Sequence, residues 1–390
     1  MMVTVSVDGR FHAFHLAREL QVRGNLDRLL TTYPRFEVVK YGVDRRKVDS
    51  LVANELARRA WSKLAPTMRP GVDASLVLAE AFDRRVRRRL KGGSDMFVGW
   101  SSKSLLSLRR AKELGMKTVI ERGSAHILTQ VQLLEEEHER HGLRFDTHHG
   151  GITERELQEY EEADFVAVPS LFAKRSFIAN GVPEEKLLHT PYGVDLRNFI
   201  PGTKRDEVFR IIYCGGRTLR KGLTYLLQAF TELQMRNSEL LLVGPGSKDT
   251  DHMIAQYANQ NVRTIGPFPE RDLRDYYSQG SVFCQPSVEE GLSLVQLQAM
   301  ACGLPVIATT NTGAEDIIED GQEGFIVPIR DPEAIKSKLL LLCESPELLA
   351  EMGQASLRRA QTGLTWSDYG DRVVGEYQRA MGPDYVPPPY

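Results

Sequence analysis

Residues 209–230 read FRIIYCGGRTLRKGLTYLLQAF and contain one complete strand-to-helix unit. Residues 210–214 form a short apolar run that predicts a buried strand, and the glycines Gly215 and Gly216 predict a tight turn after it. Apolar residues then recur at helical spacing, at Leu223, Leu226, Leu227, Phe230 and Leu233. A strand, a glycine turn and an amphipathic helix in this order predict an α/β unit built on a parallel sheet.

The same alternation predicts two α/β domains. Short apolar runs predict strands at 3–7, 96–100, 117–120 and 165–168 in the first half, and at 239–243, 282–285, 305–308 and 325–327 in the second. Turn-forming residues between Tyr192 and Gly202 predict a hinge. We therefore predict a first domain at 1–200, a second at 203–365, and a C-terminal helix and tail at 366–390 that return to the first domain.

Composition narrows the class of protein. The chain has 390 residues, 42% of them hydrophobic, which is enough for two cores, and its net charge of -2 gives no electrostatic reason to expect nucleic acid binding. The four cysteines lie far apart among apolar residues, so we interpret them as core thiols. With no basic leader and no run of membrane-spanning length, the expected location is the cytoplasm.

Several motifs of the second half resemble one enzyme family. They are Tyr192-Gly193-Val194-Asp195, Gly215-Gly216-Arg217 with Lys221-Gly222, Leu241-Leu242-Val243-Gly244, and the run from Pro286 to Ala308. Together they resemble the retaining glycosyltransferases of family 4, the glycosyl transferases group 1, over about residues 164–335. The resemblance implies the GT-B fold of two facing Rossmann-like domains. It also implies transfer of a hexose-like group from a nucleotide diphosphate sugar to a glycan, lipid-linked or small-molecule acceptor.

Two cations follow the first glycine turn of the second domain. A donor diphosphate carries negative charge, and Arg217 and Lys221 lie where they could neutralise it. Gly215 and Gly216 would let the backbone approach the phosphates closely. One arginine and one lysine are usually solvated surface charges, but this placement after a strand favours a phosphate site.

A second candidate donor segment begins at Glu290. The backbone amides that follow it open a predicted helix and could bind phosphate or sugar hydroxyls; these residues are Gly291, Leu292, Ser293 and Leu294. The resemblance implies that Glu290 contacts the donor sugar and that a second glutamate, eight positions on, binds the ribose. This chain has Gln298 there, and a neutral amide loses the charge-assisted form of that hydrogen bond.

The resemblance implies three further site residues. Phe268 stands in the loop that meets the nucleobase, and Gly9 stands where relatives have a longer glycine-rich loop. His126 follows a predicted strand near the position where relatives place a histidine beside the sugar. A lone histidine is more often structural than catalytic, but the loop position after a strand favours a role at the site. His148 and His149 are interpreted as solvated loop residues.

One segment is strongly basic, although the chain as a whole is nearly neutral. Residues 45–91 contain thirteen Lys or Arg against five Asp or Glu, so the segment carries +8 and the remainder -10. Within residues 82–91, Phe82, Val86 and Leu90 recur at helical spacing beside five arginines, as in a basic amphipathic helix. The segment predicts contact with either an anionic acceptor or an anionic membrane surface; the alternative is a solvated helix face.

The resemblance also implies a mechanism. Transfer would proceed by front-face displacement, and the departing diphosphate would take the acceptor's proton. No metal or cofactor is expected, and Asp249-Thr250-Asp251 is interpreted as a solvent-facing loop. The alternatives are a phosphorylase or epimerase of the same fold, and a protein that binds nucleotide sugar without turnover.

Overall fold

The structure is a computed structural model that describes residues 1–63, 74–145, 150–246, 248–257, 259–266, 269, 272–383 and 385. Its first sheet has seven parallel strands in the order β3-β2-β1-β4-β5-β6-β7. They are Val3–Val7 (β1), Leu26–Thr31 (β2), Val48–Ser50 (β3), Met96–Trp100 (β4), Lys117–Glu121 (β5), Phe165–Val168 (β6) and Leu187–His189 (β7).

The second sheet has six parallel strands in the order β10-β9-β8-β11-β12-β13. They are Phe209–Cys214 (β8), Ser238–Val243 (β9), Val262–Ile265 (β10), Val282–Gln285 (β11), Val306–Thr309 (β12) and Gly324–Val327 (β13). The chain is therefore an α/β protein with two Rossmann-like sheets, as the alternation predicted. The predicted strands agree with the observed ones to within one residue at each end.

Helices connect the strands and cover the sheets. In the first half they are Ala13–Val22 (α1), Arg35–Val39 (α2), Val52–Lys63 (α3), Ala74–Arg89 (α4), Leu105–Glu113 (α5), Ile127–Arg140 (α6), Gly150–Glu162 (α7) and Leu171–Ala179 (α8). In the second half they are Leu223–Leu233 (α9), Lys248–Gln256 (α10), Leu273–Tyr277 (α11), Leu294–Ala301 (α12), Pro332–Glu344 (α13), Pro346–Gln361 (α14) and Trp366–Met381 (α15). The predicted apolar face of α9 packs in the core of the second domain.

Four strands lack the continuous apolar run that predicted the others. In β2 the central residues Asp27 and Arg28 are charged, and β3 and β7 are only three residues long. In β10, at the edge of the second sheet, Arg263 and Thr264 are exposed. These strands form because a parallel neighbour supplies backbone hydrogen bonds, which local composition does not reveal.

The strand order places a switch point in each sheet. The connection after β1 runs to one side, to β2, and the connection after β4 runs to the other, to β5; β8 and β11 have the same relationship in the second sheet. In open α/β sheets, ligands bind at such switch points, beyond the carboxyl ends of the strands. The loops after β1, β4, β8 and β11 are therefore the expected place for a site.

The chain crosses between the domains twice. It enters the second domain between β7 and β8, and α15 returns to pack against α1, as predicted. Arg23, the C-cap of α1, donates to Asp371 of α15 at 2.8 Å, and the ring of His15 stacks on that of Trp366 at 4.0 Å. The two crossings touch, because the Val194 amide donates to the Leu364 carbonyl at 2.8 Å.

Candidate functional site

A cleft of about 440 Å³ lies between the domains at the two switch points. Its first-domain wall comes from the loops after β1, β4 and β5 and from the hinge; it includes Phe11, His12, Trp100, Lys103, Arg122, Ser124 and Tyr192. Its second-domain wall comes from the loops after β8 and β11; it includes Gly215, Lys221, Glu290, Leu292, Ser293, Leu294 and Val295. The cleft therefore contains six of the predicted site residues, namely Gly215, Lys221, Glu290, Leu292, Ser293 and Leu294.

Lys221 supplies positive charge to the second-domain wall. Its ammonium forms a close ion pair with Glu290, and the Arg220 guanidinium lies 3.3 Å from the same carboxylate oxygen. Burial, and then the neighbouring Arg220, lower the pKa of the Lys221 ammonium. Gly215 also lines the cleft and has a φ of +152°, which a side chain would strain.

The loop from Glu290 to Val295 presents backbone amides. Within the described part of the chain, the amides of Leu292, Leu294 and Val295 have no hydrogen-bond acceptor. Leu294 and Val295 open α12, where the helix dipole adds partial positive charge. With Lys221 and Arg220 nearby, this loop is suited to bind an anion such as a diphosphate.

Arg217 lies apart from the cleft lining. Its guanidinium donates to the Gly244 carbonyl at 2.7 Å and to Asp251 at 2.9 Å, so it holds the turn after β8 against the turn after β9. Gly216 likewise faces away, and its carbonyl accepts from the Tyr213 hydroxyl at 2.8 Å. The structure thus places Lys221 in the cleft and Arg217 behind the loop that carries it.

Two neighbours of Lys221 and Glu290 join the domains. Glu289 of the second domain is fully buried and accepts hydrogen bonds from the Ala125 amide at 2.9 Å and from Gln130 at 2.8 Å, both in the first domain. A Cβ at Gly291 would lie 2.2 Å from the Gly123 carbonyl oxygen. The sequence predicted a donor-binding role for Gly291, and in the structure this glycine permits the close approach of the domains.

Gln298 lies on the other side of α12. It lines a second cavity of about 660 Å³, together with Leu294 of the cleft wall and His15 and Trp366 of the first-domain side. The Tyr277 hydroxyl donates to the side-chain oxygen of Gln298 at 3.2 Å. Burial lowers the pKa of His15 to about 3, against the opposing effect of Asp195. Leu294 lines both spaces, so the two cavities adjoin at the start of α12.

His126 does not reach the cleft, contrary to its predicted role. Its ring packs between Tyr160 and Phe177, with centroids 5.2 and 4.9 Å away, and burial lowers its pKa to about 4. As the N-cap of α6, it accepts a hydrogen bond from the Leu128 amide. The prediction was wrong because the His126 side chain at this N-cap turns back onto the core rather than outward.

Two other predicted donor residues have different outcomes. Gly9 is absent from the cleft lining and lies beneath Phe11, whose ring would be 3.2 Å from a Cβ at this position. Phe268 lies outside the described residues, as do His148 and His149.

The structure adds site residues that sequence analysis missed. His12, Trp100 and Lys103 line the first-domain wall. Trp100 ends β4, Lys103 follows β4 and His12 follows β1, so all three lie at the first switch point. Their position at the end of a strand is the sequence signal that could have identified them. His12 comes three residues after Gly9, where no motif of the resemblance marked it.

Residues 82–91 have the apolar side that the sequence predicted, but that side is not exposed. Phe82, Val86 and Leu90 are buried in the first-domain core, so the apolar side of α4 is not available to a membrane. Arg87 and Arg88 are exposed, and Arg89 pairs with Asp49. Within residues 82–91, the exposed face is therefore formed by arginines and Lys91. Part of segment 45–91 lies outside the described residues.

Among the described residues, no group of three or more His, Cys, Asp or Glu side chains is arranged to hold a metal ion. No helix in those same ranges is both long and apolar enough to span a bilayer.

Comparison with known proteins supports the resemblance. Residues 209–345 match the family model described as glycosyl transferases group 1. A GDP-mannose-dependent monoacylated alpha-(1-6)-phosphatidylinositol monomannoside mannosyltransferase from Corynebacterium glutamicum is 28% identical over 56% of this chain. The match spans 62% of that relative's length. The predicted family resemblance is thereby confirmed for the second domain.

Solved structures match nearly the whole chain. Sucrose-phosphate synthase from Thermosynechococcus elongatus superposes with a TM-score of 0.74 at 18% identity, covering 97% of this chain and 98% of that one. Anabaena HepE in complex with UDP-glucose superposes with a TM-score of 0.69 at 15% identity, covering 97% of this chain and 100% of its own. These likenesses confirm the GT-B fold.

Proposed function

We propose that this chain is a retaining glycosyltransferase that moves a hexose from a nucleoside diphosphate sugar to a hydroxyl of an acceptor. One observation carries the proposal: Lys221, Glu290 and the open amides of Leu292, Leu294 and Val295 converge on one wall of the interdomain cleft. A diphosphate needs cations and amide donors, and a sugar needs a carboxylate that accepts from its hydroxyls. The matched family and the GDP-mannose and UDP-glucose of the similar proteins agree with this chemistry.

The donor lies along α12 in this proposal. Its diphosphate contacts Lys221 and the amides of the Glu290 loop, and its sugar contacts Glu290. Its nucleoside extends past Leu294 toward Gln298, whose side-chain oxygen accepts from a ribose hydroxyl. Cavity volume supports this arrangement, because the cleft and the second cavity share Leu294 and together exceed the size of a single sugar.

Catalysis rests on positioning and on stabilising the leaving charge. As the bond from the anomeric carbon to the phosphate oxygen breaks, negative charge grows on the diphosphate, and Lys221 and the amides stabilise it. The interdomain contacts of Glu289 and Gly291 keep the cleft closed and limit hydrolysis of the donor by water. Arg217 contributes indirectly, because it fixes the turn that leads to Lys221.

The acceptor binds on the first-domain wall and is a glycan, a lipid-linked molecule or a small polyol. The cationic face of α4 would attract an anionic acceptor or the anionic surface that carries it. Neither a metal ion nor a cofactor takes part, since Lys221, Arg220 and helix amides carry the positive charge that a metal would supply. Activity should therefore be unchanged by a chelator.

The test begins with donor binding. Thermal shift with a panel that includes GDP-mannose and UDP-glucose should identify a nucleotide sugar that raises the melting temperature in proportion to the logarithm of its excess over Kd. Release of nucleoside diphosphate from that donor, unchanged by EDTA, is then expected, and NMR of the product should show the donor's anomeric configuration. Binding without release would instead favour a protein that does not turn the sugar over. Dependence on added inorganic phosphate would indicate a phosphorylase, and an isomerised donor an epimerase.

A further inference from the structure

Glu289, the residue before the donor-wall residue Glu290, is bound from both domains. It is fully buried and does not line the cleft. Its Oε1 accepts from the Ala125 amide of the first domain at 2.9 Å, and its Oε2 accepts from Gln130 of α6 at 2.8 Å. From the second domain, the Arg220 guanidinium donates to the same Oε2 at 3.1 Å. The two hydrogen bonds from the first domain exist only while the domains are together.

Arg220 links Glu289 to Glu290. One terminal nitrogen of its guanidinium donates to the Glu289 carboxylate and to the Glu289 carbonyl, at 3.1 and 3.2 Å. The other terminal nitrogen lies 3.3 Å from Oε1 of Glu290, the oxygen that Lys221 also binds. Arg220 lies in the short turn Leu219–Lys221 after β8 and, like Glu289, is absent from the cleft lining. It can therefore orient Glu290 from behind the cleft wall.

Donor binding increases the importance of this link. When a diphosphate draws Lys221 away, Glu290 loses the closer of its two cations. Among the residues that the structure describes, Arg220 is the other cation paired with that carboxylate. A planar guanidinium anchored by a buried carboxylate holds a second carboxylate in a defined direction. With one oxygen held by Arg220, Glu290 can offer the other to a hydroxyl of the donor sugar.

A second interdomain ion pair provides a comparison. Arg175 of α8, in the first domain, donates to Glu315 of the second domain at 2.9 Å. Neither residue lines the cleft or the second cavity, and the recorded ion pair of Glu315 is with Arg175 alone. This pair joins the domains without reaching the donor wall. Glu289 differs from it because Arg220 connects Glu289 to Glu290.

We propose that Glu289 is a positioning residue that makes the orientation of Glu290 depend on domain closure; this deepens the proposed sugar transfer and rests on it. In the closed cleft, the first domain fixes Glu289, and Glu289 fixes Arg220, which holds Glu290 toward the donor sugar. When the domains part, Glu289 exchanges its first-domain donors for water and holds Arg220 less firmly. The donor is then aligned for transfer only after closure has excluded bulk water, which disfavours its hydrolysis.

The experiment uses the full chain with GDP-mannose or UDP-glucose, whichever donor binds, and with glycerol as acceptor. Release of nucleoside diphosphate gives kcat and the donor KM for the wild type and for Glu289→Gln, which keeps the side-chain shape and removes its charge. Glu315→Gln is the matched control. Gln130→Met is a second test variant, since it removes a first-domain donor to Glu289. A melting temperature is recorded for each protein.

Glu289→Gln is also combined with Glu290→Gln and, separately, with Arg220→Lys. A residue that acts through these two side chains has little left to lose once either is altered, whereas a general contribution to packing costs the same factor in every background. The Arg220→Lys background decides alone if Glu290→Gln releases no measurable diphosphate.

We expect Glu289→Gln to lower kcat about tenfold or more, with the donor KM within about twofold of wild type. Gln130→Met should show the same split to a smaller extent, and Glu315→Gln should keep the wild-type rate. In the Glu290→Gln and Arg220→Lys chains, adding Glu289→Gln should cost less than about twofold.

Three outcomes would overturn the assignment while leaving sugar transfer intact. They are a wild-type kcat in Glu289→Gln, an equal loss in Glu315→Gln, and a loss of the same factor in every background. A loss that only follows the melting temperature counts with the last of these. A wild-type chain that consumes no donor would refute the proposed function and this inference with it.

Discussion

Lys221 and Glu290 lie in the loops that follow two adjacent parallel strands, β8 and β11, and form an ion pair inside the cleft. A donor diphosphate would approach the same ammonium that Glu290 now holds. Donor binding therefore requires the pair to rearrange, which frees Glu290 for sugar hydroxyls while Lys221 meets phosphate. The first two predictions depend on this exchange.

Removing either cation after the glycine turn should reduce turnover. We expect Lys221→Ala to lower kcat at least about tenfold, or about 1.4 kcal/mol of transition-state stabilisation, because its charge meets the leaving group. Arg217→Ala should lose a similar factor by loosening the turn that carries Lys221. Steady-state kinetics measure both, with Lys336→Ala as the control, because Lys336 is a cation of the same domain that pairs with Glu232 and does not line the cleft. Wild-type rates in both site variants would remove the phosphate site.

The lowered pKa of Lys221 predicts opposite pH trends for activity and stability. The ammonium loses its proton at a lower pH than an ordinary lysine, so turnover should fall as pH rises through that lowered pKa. Between the lowered and the ordinary pKa, the unfolded chain binds more protons than the folded one. The group's contribution to the free energy of unfolding therefore rises with pH across that window.

Lys221→Arg provides the comparison, since a guanidinium stays charged throughout. The alkaline fall in turnover should move to higher pH in this variant, and the pH dependence of its unfolding free energy should flatten relative to wild type. Superimposable pH–rate profiles for the two proteins would show that another group controls the alkaline limb.

Gln298→Glu should preserve or tighten nucleoside diphosphate binding. A carboxylate accepts from a ribose hydroxyl more strongly than an amide, and the gain is about 1 kcal/mol, or about fivefold in Kd. It would also keep the acceptor that the Tyr277 hydroxyl uses. Isothermal calorimetry measures the effect, with Gln298→Ala as the reference. Strongly weakened binding in Gln298→Glu would mean that the ligand needs the amide protons.

Gly291→Ala should separate the domains and slow transfer more than donor binding. The new Cβ would lie 2.2 Å from the Gly123 carbonyl oxygen, so the two domains could no longer approach each other as closely. We expect at least about a tenfold loss in turnover and a larger radius of gyration by X-ray scattering. Gly92→Ala is the control, because nothing lies within 4 Å of a Cβ there. An unchanged radius together with full activity would contradict the prediction.

Replacing Arg87, Arg88 and Arg89 with Ser should weaken acceptor use or vesicle binding and leave donor affinity unchanged. The buried apolar side of α4 means that the contact is electrostatic, worth about 1 kcal/mol per arginine near an anionic surface, and that added salt should mimic the substitution. Co-sedimentation with phosphatidylserine vesicles measures binding to an anionic membrane surface, and acceptor kinetics measure the use of an anionic acceptor. Salt-insensitive wild-type behaviour would reduce the segment to a solvated helix face.

The sequence predicted the second domain better than the first-domain wall. Apolar strands and glycine turns are local signals, and Gly215, Lys221 and Glu290, which follow such strands, line the cleft in the structure. His126 failed because the sequence shows that a histidine follows a strand but not which way its cap turns. His12 was missed because Glu121, with which it pairs in the structure, is distant in sequence and meets it only through the sheet order. For Phe82, Val86 and Leu90, helical spacing predicted an apolar face but could not reveal that the core already covers it.

The two touching crossings at Val194 and Leu364 have a consequence for how the halves part. A single connecting segment would let one domain rotate about any axis relative to the other. Two adjacent segments restrict the motion to rotation about one hinge axis that passes through both of them. A protease that cuts one crossing would leave the halves joined through the other. The cleft should therefore reopen along one reproducible path after each turnover, and a single nick should leave a protein that still runs as one particle in gel filtration.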